Sequence, residues 1–281
     1  MCPPHGSANA RRDRPWRAGD LLTSLQNARV KHVVRLRQRR AREREGRFVV
    51  EGWRELARAF DAGAAIETVF HCDALHRGAF ERDLLGRLGR ADIELVATSA
   101  EAFRKMSYRQ GPDGLLGVVA SQALGLDQLG DSRDGLWLVV EGIEKPGNLG
   151  AMLRSADAAG AGVIVADPKT DVFNPNVIRA SIGTLFTVPL AVATGDEVRG
   201  WLQARAIRPI TATPEATAPY TEADLTGNIA IVIGSEHAGV SRAWLGADSA
   251  SVSIPMSGDA DSVNAAMAAT ILLFEARRQR I

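Results

Sequence analysis

Residues 251–281, SVSIPMSGDADSVNAAMAATILLFEARRQRI, combine a short β-branched run, a polar loop and an apolar-periodic segment. This order predicts a strand ending at Ile254, an exposed loop, and a helix that opens at Ser262-Val263-Asn264. The first turn of a helix has unpaired N–H groups and a partial positive charge, so the junction suits a polar or anionic ligand. An ordinary last strand and packing helix, capped by Ser262 or Asn264, fits the same residues.

The half of the chain before this stretch predicts a parallel sheet. Leu136–Val140 and Ile229–Ile233 are continuous apolar runs, typical of strands buried on both faces. Further strands are predicted at 163–165, near 188–192 and at 209–212, with helices between them. We therefore expect an α/β domain over residues 135–281.

The N-terminal half alternates strand and helix patterns between Phe48 and Ala120, which predicts a second, smaller α/β domain over residues 21–121. Residues 122–134 hold few large apolar side chains and several turn formers, which is typical of a linker. Residues 1–20 are rich in Arg, Pro and Gly and are predicted to be a disordered basic tail.

Charge is distributed unevenly along the 281 residues, although the net charge is only +1. Residues 1–47 contain thirteen Lys/Arg and four Asp/Glu, a net charge of +9. The segment from Thr23 predicts a basic helix. Either its charges form a solvated face, or they contact phosphates, since so many like charges repel one another. The second interpretation makes six residues candidates for RNA binding: Lys31, Arg35, Arg37, Arg39, Arg40 and Arg42.

Several classes of protein are disfavoured by what the sequence lacks. It has no apolar run of membrane-spanning length and no signal-peptide pattern, so we expect a cytoplasmic protein with no membrane partner. Cys2 and Cys72 form no metal or redox spacing, and no His/Cys cluster predicts a metal. A nucleotide-binding oxidoreductase is disfavoured because the glycine fingerprints of dinucleotide and P-loop sites are missing.

Two further loops carry candidate chemistry. In 144–160, EKPGNLGAMLRSADAAG, Pro146-Gly147 predicts a tight turn, Asn148 a helix cap, and Arg154 follows six residues later. In 231–241, IVIGSEHAGVS, a buried strand ends at Gly234, where backbone can approach a ligand closely, and Glu236 precedes a helix predicted to start near Ser241. Each loop alone also fits a purely structural turn.

The three loops together, in this order and spacing, resemble the SpoU/TrmH family of RNA ribose 2′-O-methyltransferases, part of the SPOUT superfamily. The residues that carry the resemblance are Pro146 to Gly150 with Arg154, Gly234 to Glu236 with Gly239, Ile254 to Met256, and Ser262 to Asn264. Arg179–Phe186 also looks like a segment of that family. More loosely, residues 23–52 are similar to the start of the family's substrate-binding domain, which has a fold like certain ribosomal RNA-binding proteins.

The resemblance implies a C-terminal α/β domain with a parallel sheet, threaded into a trefoil knot that binds S-adenosylmethionine, in a homodimer. It implies that the donor is held by Ala212, Thr213, Gly234, Ile254, Met256, Ser262 and Val263. It implies that catalysis involves Arg154, Asn148, Glu236, Ser262 and Asn264. A guanidinium stays protonated, so we expect Arg154 to grip the phosphate next to the target ribose rather than act as the base.

The implied activity is methylation of a ribose 2′-hydroxyl in RNA, with 23S rRNA favoured by the N-terminal domain of about 100 residues. A tRNA methyltransferase and a non-catalytic RNA-binding protein of the same fold are the alternatives. Members that confer avilamycin resistance by methylating large-subunit rRNA also look similar. The sequence departs from the family pattern at Lys145, more often Asp or Asn, and at Val263, usually Leu.

Overall fold

The computed structural model describes residues 21–91, 93–130, 134–246 and 250–281. The predicted disordered tail at 1–20 lies outside the described residues, as do 131–133 of the predicted linker. The described chain forms two sheets, one in each half.

The N-terminal unit is a four-stranded mixed sheet with the order β1-β4-β2-β3. Its strands are β1 (Arg47–Glu51), β2 (Ile66–His71), β3 (Glu94–Ala97) and β4 (Leu115–Ala120). Its helices are α1 (Ala28–Arg35), α2 (Arg39–Glu45), α3 (Trp53–Asp61), α4 (Phe80–Arg90) and α5 (Ala100–Met106). Strand β4 runs antiparallel to β1 and β2, and β2 runs parallel to β3. The first three strands therefore end at the same edge.

The C-terminal unit is a six-stranded sheet with the order β10-β8-β9-β5-β6-β7, and every neighbouring pair is parallel. Its strands are β5 (Leu136–Glu141), β6 (Gly162–Ala166), β7 (Leu190–Ala193), β8 (Arg208–Ala212), β9 (Ile229–Ile233) and β10 (Ala250–Val252). Its helices are α6 (Pro146–Ala159), α7 (Pro175–Ala180), α8 (Gly195–Ala204) and α9 (Ala265–Gln279). Strands β5, β6 and β9 are buried along their whole length, as their apolar runs predict.

Helix α6 packs closely on its neighbours because of its small residues. A Cβ at Gly150 would overlap Ala180 and lie 2.8 Å from the carbonyl of Val177, so a glycine is needed where α6 meets α7. On another side, the hydroxyls of Ser155 and Thr270 lie 2.7 Å apart and join α6 to α9.

The predicted single basic helix is in fact two short helices, α1 and α2. Leu36, between them, is fully buried, and Arg37 donates to the carbonyls of Lys105 and Ser107, which fixes the break. Glu45 at the end of α2 accepts hydrogen bonds from His32 and Arg35 of α1. The strand predicted to end at Ile254 ends at Val252, because the chain leaves the sheet after a single bridge between Ser253 and Pro219.

A buried ion pair and an aromatic stack join the two units. Arg42, 5% exposed, donates to Asp171 at 2.7 Å and to the carbonyls of Leu36 and Arg37. The ring of Phe48 stacks on that of Phe173, with centroids 4.4 Å apart. The prediction that Arg42 binds RNA is corrected by this position, since its guanidinium is buried and occupied.

We expect the stability of the α1–α2 pair to depend on the charge of Glu45. Arg44, with Arg35 and His32, lowers the pKa of Glu45 to about 2. A carboxylate with a lowered pKa contributes stability above its unfolded pKa of about 4.3 and loses it as the pH falls toward the folded value. Glu45→Gln should therefore lower the unfolding free energy at pH 5.5 and have little effect near pH 2.5, as measured by urea unfolding.

Glu43→Gln is the matched control, because Glu43 is an exposed partner of Arg39 on the same helix and should change stability less. A wild-type minus Glu45→Gln difference that stays constant from pH 5.5 to 2.5 would contradict the role of the charge.

Candidate active site

The carboxyl ends of β5, β8, β9 and β10 surround one cavity. All four strands run parallel, so the loops that follow them meet at the same edge of the sheet. The cavity has a volume of about 680 Å³. Nine predicted site residues line it: Ala212, Thr213, Gly234, Glu236, Ile254, Met256, Ser262, Val263 and Asn264. The structure thus brings residues from three distant parts of the sequence to one place.

Gly234 allows the chain to turn sharply after β9. A Cβ there would overlap the backbone of Gly239 and Val240. Any residue other than glycine would therefore force this backbone to move. The turn is closed by two hydrogen bonds, from the Ser235 amide to the Gly239 carbonyl at 3.0 Å and from the Gly239 amide to the Ser235 carbonyl at 3.1 Å. Glu236 is held within this turn.

Glu141, at the end of β5, fixes the segment that follows the turn. This carboxylate is 9% exposed and accepts hydrogen bonds from the Ser241 amide, the Ser241 hydroxyl and the Trp244 indole at 2.7–2.9 Å. Because these bonds hold the chain in a bend, the helix predicted near Ser241 is only a 3₁₀ turn, Arg242–Trp244. The sequence analysis did not identify Glu141. A single charged residue at the end of an apolar strand could have indicated a buried side chain with this role.

A chain of side-chain hydrogen bonds joins the three loops. The amide of Asn148 donates to Oε1 of Glu236, and the amide of Asn264 donates to Oδ1 of Asn148 at 3.3 Å. Asn264 also caps α9 by accepting from the Ala266 amide at 2.9 Å, as predicted. Asn148 is not the cap of α6, since Pro146 occupies the first helical position and Lys145 the N-cap. Its side chain is therefore free to bind Glu236.

Several polar atoms around the cavity have no partner among the described residues. Oε2 of Glu236 is buried and accepts no hydrogen bond. The backbone amides of Ile254, Met256 and Val263 donate to no group in the described part of the chain. Buried polar groups are normally paired, so Oε2 of Glu236 is an acceptor that the described residues leave unused, while the three amides lie in a partly exposed loop that a ligand can reach.

Lys145 is a cavity-lining residue that the predicted site omits. It is exposed at the N-terminus of α6, and its charge adds to that of Lys169 in lowering the pKa of Glu144. The sequence could have pointed to Lys145, because this position more often carries Asp or Asn in the family.

Arg154 is not among the residues that line the cavity. It lies on α6 about 9 Å along the helix axis from Asn148, at 1.5 Å per residue. The side chain is exposed, and its guanidinium pairs with no acceptor among the described residues. The structure therefore separates Arg154 from the cavity of its own chain.

The remaining predicted RNA-binding residues are exposed on α1, α2 and the segment between them. Arg35 pairs with Glu45, Arg39 pairs with Glu43, and Arg37 is bonded to backbone carbonyls. Lys31 and Arg40 have no such partner within the described ranges.

No group of three or more potential metal ligands occurs among the described residues. In the same part of the chain, no helix is long and apolar enough to cross a membrane.

Comparison with known proteins matches both units. The model of the SpoU rRNA Methylase family matches residues 135–274, and that of the MRM3-like substrate binding domain matches residues 27–117. A 23S rRNA (uridine(2479)-2′-O)-methyltransferase of Streptomyces viridochromogenes is 35% identical over 254 residues, covering 88% of each chain. A 23S rRNA (guanosine-2′-O-)-methyltransferase RlmB of Ralstonia nicotianae is 36% identical over 229 residues, covering 78% of this chain and 90% of that protein.

A solved structure gives the same result. The AdoMet-bound rRNA methyltransferase from Sinorhizobium meliloti superposes with a TM-score of 0.84 at 27% identity, covering 93% of this chain and 98% of that one. The predicted fold class is confirmed: a small N-terminal α/β unit is followed by a parallel α/β unit of the SPOUT type. The trefoil knot itself stays a prediction.

We expect the turn after β9 to tolerate no side chain at its first residue. Gly234→Ala would place a Cβ against the Gly239 backbone and should lower the unfolding free energy by more than about 2 kcal/mol, because fixed backbone cannot move away. Gly147→Ala is the matched control, since nothing lies within 4 Å of its Cβ and alanine favours a helix. Chemical denaturation measures both, and equal stabilities of the two variants would contradict the close approach.

Proposed function

The chain belongs to the SpoU rRNA methylase family, and we propose on that basis that it transfers a methyl group from S-adenosylmethionine to a ribose 2′-hydroxyl of 23S rRNA. The observation that carries the proposal is the single cavity where the loops after β5, β8, β9 and β10 meet, on a chain with 35% identity to a 23S rRNA 2′-O-methyltransferase. A ribosomal substrate implies that the protein acts in the cytoplasm.

The cavity fits the methyl donor. Backbone amides at Ile254, Met256 and Val263 have no described partner, and they suit the adenine and ribose of a nucleoside better than a metal ion. Gly234 lets the turn that forms one wall close on Gly239, and Ala212, Thr213 and Ser262 line the same cavity. When bound, the donor supplies an electrophilic methyl group on a sulfonium, which is already a good leaving group.

The side chains of the cavity then have to align the hydroxyl. Asn264, fixed as the cap of α9, holds Asn148, and Asn148 holds Glu236. The free Oε2 of Glu236 is a hydrogen-bond acceptor in the wall of the cavity and suits a polar group of the substrate. Preorganised groups of this kind lower the barrier by orienting the attacking oxygen along the axis of the bond that breaks.

We propose that Arg154 acts on the cavity of a second copy of the chain, in a homodimer. Its guanidinium is exposed and pairs with no described group, and it lies about 9 Å along α6 from Asn148. The neighbouring α9 exposes Met267 and Phe274, 63% and 47% exposed, on one helical face. Adjacent exposed apolar side chains favour a subunit contact, which would bring α6 and α9 of two copies together. In that position Arg154 would grip the phosphate next to the target ribose.

The N-terminal unit would hold the rest of the RNA. The substrate-binding model matches this unit, and α1 and α2 expose Lys31 and Arg40 without a described partner. Such unpaired charges are available to phosphates, which release counterions on binding.

Arg154→Ala should leave donor binding within about twofold of wild type and lower methyl transfer by at least about 100-fold. The reason is that the guanidinium that would hold the phosphate next to the target ribose is removed. Calorimetry with S-adenosylmethionine and incorporation of labelled methyl into rRNA measure the two effects. Arg205→Ala, which removes the arginine at the C-cap of α8, is the control and should retain activity. A loss of donor affinity as large as the loss of activity would contradict this role of Arg154.

Mixing two inactive variants tests whether Arg154 acts between subunits. In a heterodimer, the Arg154→Ala chain keeps an intact cavity and the Glu236→Ala chain keeps an intact Arg154. These two groups form one complete site only if the arginine acts on the cavity of the other chain. After denaturation and refolding of an equal mixture, we expect recovery of about a quarter of wild-type activity, because half of the dimers carry one complete site. Mixtures that remain as inactive as either parent would show that Arg154 acts within its own chain.

A further inference from the structure

Phe80, the first residue of α4, is a large aromatic side chain with 66% of its surface exposed. Its ring stacks on that of Trp53, with centroids 4.7 Å apart and an angle of 6° between the planes. The guanidinium of Arg54 lies 5.2 Å from the centroid of the Trp53 ring. The three side chains form an ordered stack at the surface of the N-terminal unit, and Phe80 is its exposed end.

The stack is held at the edge where β1, β2 and β3 end. Trp53 opens α3 directly after β1, and its backbone amide donates to the buried Asp113 at 2.9 Å. Phe80 opens α4 in the segment that follows β2. Here Glu81, 2% exposed, accepts from the amides of Arg77 and Gly78. Because both helix starts are fixed by buried carboxylates, the rings need little reorganisation to bind a planar group.

The surroundings of the stack are positively charged. Arg54, Arg77 and Arg82 are exposed and form no ion pair with a carboxylate in the described part of the chain, and they outnumber the one exposed carboxylate on the first turn of α4, Asp83. Among the residues that the structure describes, the guanidinium of Arg77 donates only to the carbonyl of Gly111, at 2.7 Å. An exposed ring beside unpaired guanidiniums suits a ligand that has both planar apolar faces and negative charge.

We propose that the free face of Phe80 is a stacking platform for one nucleobase of single-stranded RNA, with the neighbouring arginines contacting the flanking phosphates. Every base has a π-face, so stacking of this kind binds unpaired nucleotides with little regard to sequence. The identification of the ligand as RNA rests on the proposed function. The charges favour a polyanion over an apolar peptide as the occupant.

Trp53, on which Phe80 stacks, lies on α3, and this helix contacts the C-terminal unit. Two residues after Trp53, the backbone of Glu55 is so close to Gly183 that a Cβ on that glycine would lie 2.8 Å from it. Arg58 of the same helix donates to the carbonyl of Ile182. A base held at Phe80 would therefore extend a stack whose inner ring, Trp53, lies on the helix that packs against the C-terminal unit.

Binding of a labelled twelve-nucleotide single-stranded RNA of mixed sequence to the full chain, followed by fluorescence anisotropy, tests the platform. We expect Phe80→Ala and Phe80→Leu each to weaken binding by between about 5-fold and 150-fold, the range that stacking on one base contributes. Phe80→Trp should bind within about twofold of wild type. The factor lost at Phe80 should be the same in about 50 mM and 200 mM salt, whereas Arg54→Ala should lose more at the lower concentration.

Phe80→Leu keeps an apolar side chain of similar size, so its result does not depend on the folding of the alanine variant. Wild-type affinity in Phe80→Leu, loss of binding in Phe80→Trp, or failure of the wild-type chain to bind the RNA would each overturn the platform. Calorimetry with S-adenosylmethionine tests the proposed function separately. A chain that binds RNA through Phe80 but does not bind the donor would contradict methyl transfer and leave the platform standing.

Discussion

The common direction of the six C-terminal strands is the constraint on which the site depends. Since β5, β8, β9 and β10 all run parallel, the loops after them must meet at one edge, although they are separated by up to about 110 residues of sequence. The apolar faces of these strands are covered by helices, which leaves the edge as the place where polar groups can remain unpaired. The cavity, the unpaired amides and the Asn148–Glu236–Asn264 chain all lie there.

Much of this arrangement could be predicted from local sequence. Continuous apolar runs located β5 and β9, and Asn264 before an apolar-periodic segment located the start of α9. These features depend on residues close together in the chain, because the periodicity of apolar residues and the capping of helix ends are local effects. The convergence of the three loops was predicted only through the family resemblance.

Features that depend on distant contacts were missed or misassigned. Arg42 looks like its neighbouring arginines in sequence, yet Asp171, 129 residues away, makes it a buried link between the two units. Asn148 was predicted to cap α6, but Pro146 sets the start of that helix and Glu236 binds the asparagine. Glu141 is a strand residue whose partners lie 100 residues further on. Local propensity cannot specify such partners, because tertiary packing selects them.

Titration of S-adenosylmethionine into the purified chain, measured by calorimetry, tests most directly whether the cavity at the sheet edge is a donor site. We expect one molecule to bind per chain, with the demethylated product S-adenosylhomocysteine competing for the same site. Binding that Ile254→Pro leaves unchanged would contradict the assignment, because that substitution removes one of the unpaired amides from the wall. The absence of any binding by the wild-type chain would contradict it outright.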